Sequence, residues 1–469
     1  MLATGLLVGL AFGFVLQRGR FCVTGMLRDI VMNKTWRGFT ALMILISVHS
    51  VGLTALISTG VITPEFSNFA PVAVVAGGFI FGLGIILAGG CASGTWYRSA
   101  EGLVGSWIAL LLYGISAAAM KSGPLASFTD WMKHWNTPVT TIHGALGISP
   151  WVLVFVVCAI TFFMVRYYLR KDAGRQRFAL GRAWYQKPLH QYVAAVLVAI
   201  IGTVAFPLSA AAGRNDGLGI TTPTADLVRY SATGDEKYAN WGVMLVLGLL
   251  VGAFIAAKAA GEFRVRVPDA QTATRAVWGG ILMGVGASLA GGCTVGNGMV
   301  QTSLFSVQGW VALLCIGLGV ATGAKLWLRP AAAPRSSAGP AYNGASIDRD
   351  EQATEDAVLA GGPNFADATG AVALKPRTAE TEPGAELGVR SLGDGHFYLN
   401  QVGAVCPFPL IEAKQAMAQL DRGDALVIDF DCTQATDSIP AWAADAGHTV
   451  TDLHHTGDAG WQITVVKGA

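Results

Sequence analysis

The sequence predicts a polytopic α-helical membrane protein of about nine spans, with an inverted internal repeat, short re-entrant helices and a small C-terminal α+β domain. Of its 469 residues, 52% are hydrophobic and only 13% are charged, about half the charged fraction of an average soluble domain. Residues 1–329 carry 24 Lys and Arg against 11 Asp and Glu, whereas residues 330–469 carry 8 against 19. This asymmetry indicates a basic membrane part joined to an acidic soluble part.

Apolar segments recur along the membrane part, and several are shorter than the ~20 residues that a straight span needs. Short segments interrupted by glycine are typical of discontinuous transporter helices. The segments cover residues 2–16, 39–62, 71–88, 102–120, 151–165, 191–206, 241–257, 276–290 and 309–328.

Basic residues are concentrated in three of the connecting loops, Arg18–Arg37, Arg166–Lys187 and Lys258–Arg275. By contrast, the loop Asn215–Asn240 is slightly acidic. Since Lys and Arg are enriched in cytoplasmic loops, we expect the N-terminus outside the membrane and the C-terminal domain in the cytoplasm. The arginines of the first loop are expected to be topology anchors and not ligands.

An internal repeat organises the membrane part. Residues 77–94 read GGFIFGLGIILAGGCASG and residues 279–296 read GGILMGVGASLAGGCTVG, with ten of eighteen positions identical. The repeat cores extend to 77–111 and 279–314 through WIALL and WVALL. Nine spans place the two GGC strings at opposite membrane faces, as an inverted-topology repeat requires. Duplicated glycine-mediated helix packing is the alternative, but it leaves the repeated cysteine unexplained.

Cysteines replace the charged residues that mark most ion pathways. Cys91 and Cys293 follow the two GG pairs, and Cys22 ends the first apolar segment in QRGRFC. In apolar surroundings a thiol stays protonated, so it can donate to an anion, and its sulfur suits a soft ligand. We therefore predict a substrate path lined by these three cysteines, whereas Cys158 and Cys315 are expected only to pack.

The residues around the two GGC strings are further candidates for this path. Gly90 and Gly292 allow close approach of a helix end, whose N–H groups add positive potential. Ser93, Thr294 and Asn297 are expected either to donate hydrogen bonds to the substrate or to cap helices. No metal site is predicted.

The acidic part divides into a linker at 330–387, rich in Pro, Ala, Gly, Ser and Glu and expected to be flexible, and a globular domain at 388–469. Alternating apolar patterns predict the order βαβαββ. The predicted strands lie near 397–402, 425–430, 449–454 and 461–466, with helices after 407 and near 438–446.

Cys406, in CPFP, is the candidate nucleophile of this domain. A thiol at a helix N-terminus is shifted towards thiolate by the helix dipole. Lys414, two turns along, is expected either to draw an anion towards Cys406 or to be an ordinary solvated lysine. Cys432, after the second strand, is expected either to approach the same edge or to pack.

The motifs LAGGCASG, LAGGCTVG and QRGRFC resemble the YeeE/YedE family of thiosulfate transporters over about residues 1–328. The CPFP helix, Gly423-Asp424 and Ile439-Pro440 are similar to TusA/SirA-like sulfur-carrier domains, and FDCTQAT is similar to their YeeD-like branch.

The resemblance implies a protein of the bacterial inner membrane and thiosulfate uptake in which Cys293, Cys91 and Cys22 contact the ion in turn. It also implies transfer of the sulfane sulfur to Cys406 as a persulfide, assisted by Lys414 and Cys432. The expected partners are thiosulfate, a downstream sulfur-acceptor protein or thiol, and the lipid bilayer, without nucleic acid or cofactor. Two alternatives stay open: transport of another sulfur or selenium compound, and a membrane-anchored sulfur-relay enzyme without transport.

Overall fold

A computed structural model describes seven stretches of the chain. Cys406 and the predicted linker lie outside them, so the domain boundaries stay predictions. The described residues are 2–172, 187–268, 270–328, 389–404, 408–432, 434–457 and 460–468.

Long helices in the membrane part alternate with short ones. In chain order they are α1 (Leu2–Arg18), α2 (Val23–Met32), α3 (Arg37–Ser58), α4 (Pro71–Leu87), α5 (Ala92–Ala100), α6 (Val104–Ser122), α7 (Ala126–His134), α8 (Ile142–Leu146), α9 (Pro150–Asp172), α10 (Gln191–Ala211), α11 (Thr221–Thr233), α12 (Trp241–Ala259), α13 (Ala270–Leu289), a π-helix (Gly296–Gln301) and α14 (Val307–Trp327).

The polytopic helical membrane fold is confirmed. Eight helical segments of the described residues are long and apolar enough to cross a membrane, two of them counted together with the short helix that follows. The 20-residue helix α13 is not among these eight, because its first turns, AQTATR, are polar. Each of the nine predicted apolar segments coincides with a long helix, and the count of about nine is approximate.

A helix–short helix–helix unit recurs through the described membrane part: α1–α2–α3, α4–α5–α6, α10–α11–α12 and α13–π-helix–α14. The later units run opposite to the earlier ones. Gly279 at the start of the apolar part of α13 lies against Ala88 at the end of α4, and Gly77 near the start of α4 lies against Ala290. This antiparallel pairing is the inverted repeat that the sequence predicted.

Glycines allow the backbones of the paired helices to touch. A Cβ atom built at Gly9 of α1 would lie 2.2 Å from the Leu245 carbonyl oxygen of α12, and one at Gly286 of α13 would lie 2.4 Å from the Phe81 nitrogen of α4. Small residues at such crossings are the usual means of packing helices in lipid, where the hydrophobic effect does not drive association. Packing therefore accounts for most glycines of the repeat, but not for its cysteines.

The C-terminal domain is a five-stranded sheet with two helices. Its elements are β1 (Val389–Gly393), β2 (His396–Gln401), α15 (Phe408–Gln419), β3 (Ala425–Phe430), α16 (Ala435–Asp445), β4 (Thr449–Gly457) and β5 (Gly460–Val466). The sheet order is β1-β2-β3-β5-β4, with β2 and β3 parallel and the other neighbours antiparallel. The predicted βαβαββ order is present, preceded by β1, which was not predicted because VRSLG lacks an alternating apolar pattern.

The C-terminal domain rests on one end of the membrane helices, here called the docked face. The ends of α1, α4 and α12 and the start of α13 lie at this face, as the alternation of spans requires. The residues of the membrane part that contact the C-terminal domain include Arg20, Asn33, Arg98, Lys171 and Arg266.

Candidate functional site

The short helices inside the four helix–short helix–helix units start in the same way. At each start, one carbonyl oxygen accepts a hydrogen bond from the backbone N–H four residues later, at 2.8–3.2 Å. The residues that provide this carbonyl are Cys22 before α2, Cys91 before α5, Ile220 before α11 and Cys293 before the π-helix. Three of the four helix starts therefore carry a thiol at the position where free N–H groups create positive potential.

The three thiols are free and buried, with exposed fractions of 3% for Cys22, 0% for Cys91 and 1% for Cys293. A Cβ atom at Gly94 would lie 3.3 Å from the Cys22 sulfur and 3.4 Å from the Cys91 sulfur. These two thiols lie close enough to interact with each other. The structure thus brings Cys22 and Cys91 together across one glycine.

Cys91 also faces the other half of the repeat. The buried Thr294 hydroxyl, next to Cys293 in sequence, lies near the Cys91 thiol, and its oxygen has no hydrogen-bond partner among the described residues. On the far side, the Tyr113 hydroxyl lies beside Cys293 and donates to Thr221 Oγ1 at 2.8 Å. The polar groups thus run from Cys22 through Cys91 to Cys293, as a path requires.

The two glycines of each GG pair have different roles. Gly89 (φ +71°) and Gly291 (φ +77°) end α4 and α13 in the left-handed conformation that favours glycine. The second glycine makes room for a neighbour. A Cβ atom at Gly292 would lie 3.3 Å from the Asn297 side chain, and one at Gly90 would lie 3.4 Å from Arg98 Nη1.

Of the polar candidates, Asn297 has a clear structural task. Its Nδ2 group donates to the carbonyls of Ala290 at 2.9 Å and Gly292 at 3.0 Å, so the amide holds the GG turn in shape. Ser93 instead lies 3.5 Å from the Cys91 sulfur, and either atom can donate. The geometry favours helix support for Asn297 and contact with the path for Ser93 and Thr294.

Buried charges at the docked end of the path were not identified from the sequence. Arg18 and Arg20, expected to be topology anchors, are 2% and 7% exposed and pair with Glu262 at 3.1 and 3.3 Å. Arg98 donates to the carbonyl of Gly89, so it supports the turn that precedes Cys91. Arg98 could have been identified from the sequence, because it lies inside the first repeat core and charges within membrane segments mark functional sites.

The two described candidate residues of the C-terminal domain, Cys432 and Lys414, lie in different places. Cys432, half-buried and disulfide-bonded, lines an open cavity between the domain and the docked face. Ala404 and Phe408, the described neighbours of residues 405–407, line it too.

Lys414 does not line this cavity. It donates to Asn33 on the docked face, and burial there lowers its pKa. Cys406 is outside the described residues.

Comparison with known proteins covers both parts of the chain. Residues 18–322 match the family described as Sulphur transport, and residues 398–467 match Sulfurtransferase TusA. The thiosulfate transporter TsuA of Escherichia coli (strain K12) is 48% identical over 337 residues, which cover 70% of this chain and 96% of that protein.

Two further relatives extend the comparison. The thiosulfate transporter TsuA of Spirochaeta thermophila is 33% identical over 343 residues, 70% of this chain and all of that protein. The putative sulfur carrier protein TsuB of Escherichia coli (strain K12) is 62% identical over 69 residues, 15% of this chain and 92% of that protein. The chain therefore belongs to the sulphur transport family of membrane proteins and carries a TusA domain fused to its C-terminal end.

Proposed function

We propose that this protein imports thiosulfate through the path lined by Cys293, Cys91 and Cys22 and delivers it to its own C-terminal domain. The observation that carries the proposal is the convergence of three buried, free thiols at equivalent helix starts. Two relatives named thiosulfate transporters cover the same part of the chain. The basic loops favour an inner-membrane orientation with the N-terminus outside and the docked face in the cytoplasm.

Cys91 and Cys293 bind the ion as neutral thiol donors, and Cys22 lies beside the Arg98 guanidinium. A buried thiol without a base beside it stays protonated, and S–H groups donate to the terminal sulfur of thiosulfate without the repulsion that a thiolate would add. Backbone N–H groups at the helix starts stabilise the negative charge. Successive weak sites suit a conducting path, since an ion must leave each site as readily as it enters.

The C-terminal domain consumes the ion at the docked face. The Cys406 thiolate attacks the sulfane sulfur, the S–S bond of thiosulfate breaks, and sulfite leaves with the bonding electron pair, so a persulfide remains on the cysteine. Charge balances, because one thiolate and one dianion give one persulfide anion and one dianion. Cys432 must be reduced to assist. Lys414 is proposed to attract the anion, and a downstream protein or thiol to accept the sulfur.

Uptake of radiolabelled thiosulfate tests the transport step, in cells that lack their own importers and express this chain. We expect uptake that unlabelled thiosulfate suppresses and that sulfate does not. Stronger suppression by selenite than by thiosulfate would replace the ligand with a selenium compound. Absence of uptake, with persulfide formation still present in the purified protein, would favour the sulfur-relay enzyme.

A further inference from the structure

The docked face holds a cluster of buried arginines at the Cys22 end of the path. Arg18 and Arg20 precede Cys22 in the chain, and the Arg98 guanidinium is close enough to Cys22 to act on it electrostatically. The side chain of Arg266 is only 11% exposed. The docked-face arginine cluster is defined as Arg18, Arg20, Arg98 and Arg266.

The membrane part supplies only half of the charge that this cluster needs. Glu262 pairs with Arg18 and Arg20, and Glu101 accepts from Gln17 at 3.1 Å close by. Both carboxylates are buried. Among the described residues of this group, four guanidinium ions thus face two carboxylates of the membrane part.

The C-terminal domain supplies the other half. Asp431, 2% exposed, pairs with Arg266 Nε at 2.8 Å, and Asp437, in the first turn of α16 with a side chain 67% exposed, pairs with Arg20 Nη1 at 3.1 Å at the rim of the cluster. Arg98 donates to Gln434 Oε1 at 3.0 Å. Separation of the domain would remove these two carboxylates and uncover the guanidinium groups that they contact, so an oxyanion from solution could take their place.

We propose that the docked-face arginine cluster is a binding site for a small oxyanion of charge −2, and that Asp431 and Asp437 occupy this site in the docked state. Docking of the C-terminal domain and binding of a dianion at the cluster therefore exclude each other. The identification of thiosulfate as the physiological dianion rests on the proposed function, whereas the site itself would bind sulfate as well, since guanidinium groups recognise oxyanions by charge and geometry.

Titration calorimetry of the full-length protein in detergent, with sodium sulfate as the probe, tests the site. In D431N/D437N the asparagines keep the shape of the aspartates but remove both competing charges, so we expect sulfate to bind at least about tenfold more tightly than to the wild type. Adding R20Q and R266Q to this variant should remove the gain.

A matched control changes the same charge elsewhere on the domain. D421N/D452N removes two exposed carboxylates that make none of these docked-face contacts, and it should bind sulfate as the wild type does. Equal sulfate affinity of D431N/D437N and this control would overturn the proposal. Because sulfate has no sulfane sulfur and the assay needs no transport, failure of thiosulfate uptake would be a separate result.

Discussion

The two pairs of helix–short helix–helix units share a backbone but differ in their side chains. In α4–α5–α6 and α13–π-helix–α14, a cysteine follows GG in both members. In α1–α2–α3 and α10–α11–α12, Cys22 corresponds to Ile220. Since Ile220 starts its helix with the same hydrogen bond, this architecture does not require a thiol. The comparison shows that the helix start alone does not account for the three cysteines.

The turns before the short helices differ as well. Gly89 and Gly291 take the left-handed conformation without strain, whereas Arg20, two residues before Cys22, has φ +48°. A non-glycine residue in this region costs free energy and persists only where its surroundings hold it. Arg20 is held by Glu262 and Asp437, so the first turn depends on a buried charge where the turns at Gly89 and Gly291 depend on glycine.

The largest expected effect comes from removing the repeated thiols. C91A and C293A should each abolish thiosulfate uptake, because each removes a donor from the path while the helix start is kept by its backbone hydrogen bond. Uptake of radiolabelled thiosulfate at equal membrane expression measures this. C158A and C315A, outside the path, are the controls and should be nearly silent. Wild-type uptake in C91A or C293A would show that these thiols only pack.

The second largest effect is expected from breaking the contact between α1 and α12. In G9V the new side chain begins 2.2 Å from the Leu245 carbonyl oxygen, so the two helices must separate and their packing is lost. We expect a clear drop of the unfolding temperature in detergent and several-fold less folded protein. G317V in α14 is the control, since nothing lies within 4 Å of that position. Equal loss in both variants would refute a specific helix contact.

The GG turn is tested by G291A against G60A. Both glycines have positive φ, +77° and +72°, so both variants carry a similar backbone strain of about 1 kcal/mol. Only at Gly291 would the added Cβ meet a neighbour, Gln308 Nε2 at 2.5 Å. We expect G291A to reduce uptake several-fold and G60A to leave it near wild type. The turn has no special role if both variants transport equally.

The smallest effect is expected from Y113F. It removes one hydroxyl beside Cys293, together with its hydrogen bond to Thr221, and one such bond contributes about 0.5–1.5 kcal/mol. The thiosulfate concentration for half-maximal uptake should therefore rise about twofold to tenfold, with the maximal rate retained. An unchanged concentration would place Tyr113 outside the path.

The sequence predicted the features that repeat or are apolar. All nine apolar segments coincide with long helices, and LAGGC marked one pair of units. The other pair was missed because GRFCVTG and GLGITTP share only two letters at the helix starts, although the backbones correspond. Burial of Arg20 was not predictable, since its partner Asp437 lies 417 residues away in another domain. The local sequence shows which segments are apolar, whereas the burial of a charged side chain depends on which other part of the chain covers it.

The central claim is that ions pass the cysteine path and then react in the fused domain. The most direct measurement follows thiosulfate labelled at its sulfane sulfur into intact cells and detects label on Cys406 by peptide mass spectrometry. The wild type should become labelled, and label at the sulfonate sulfur should leave as sulfite. C91A should remain unlabelled in cells although the purified variant accepts the label in solution. Labelling of C91A in cells to the wild-type level would contradict the account.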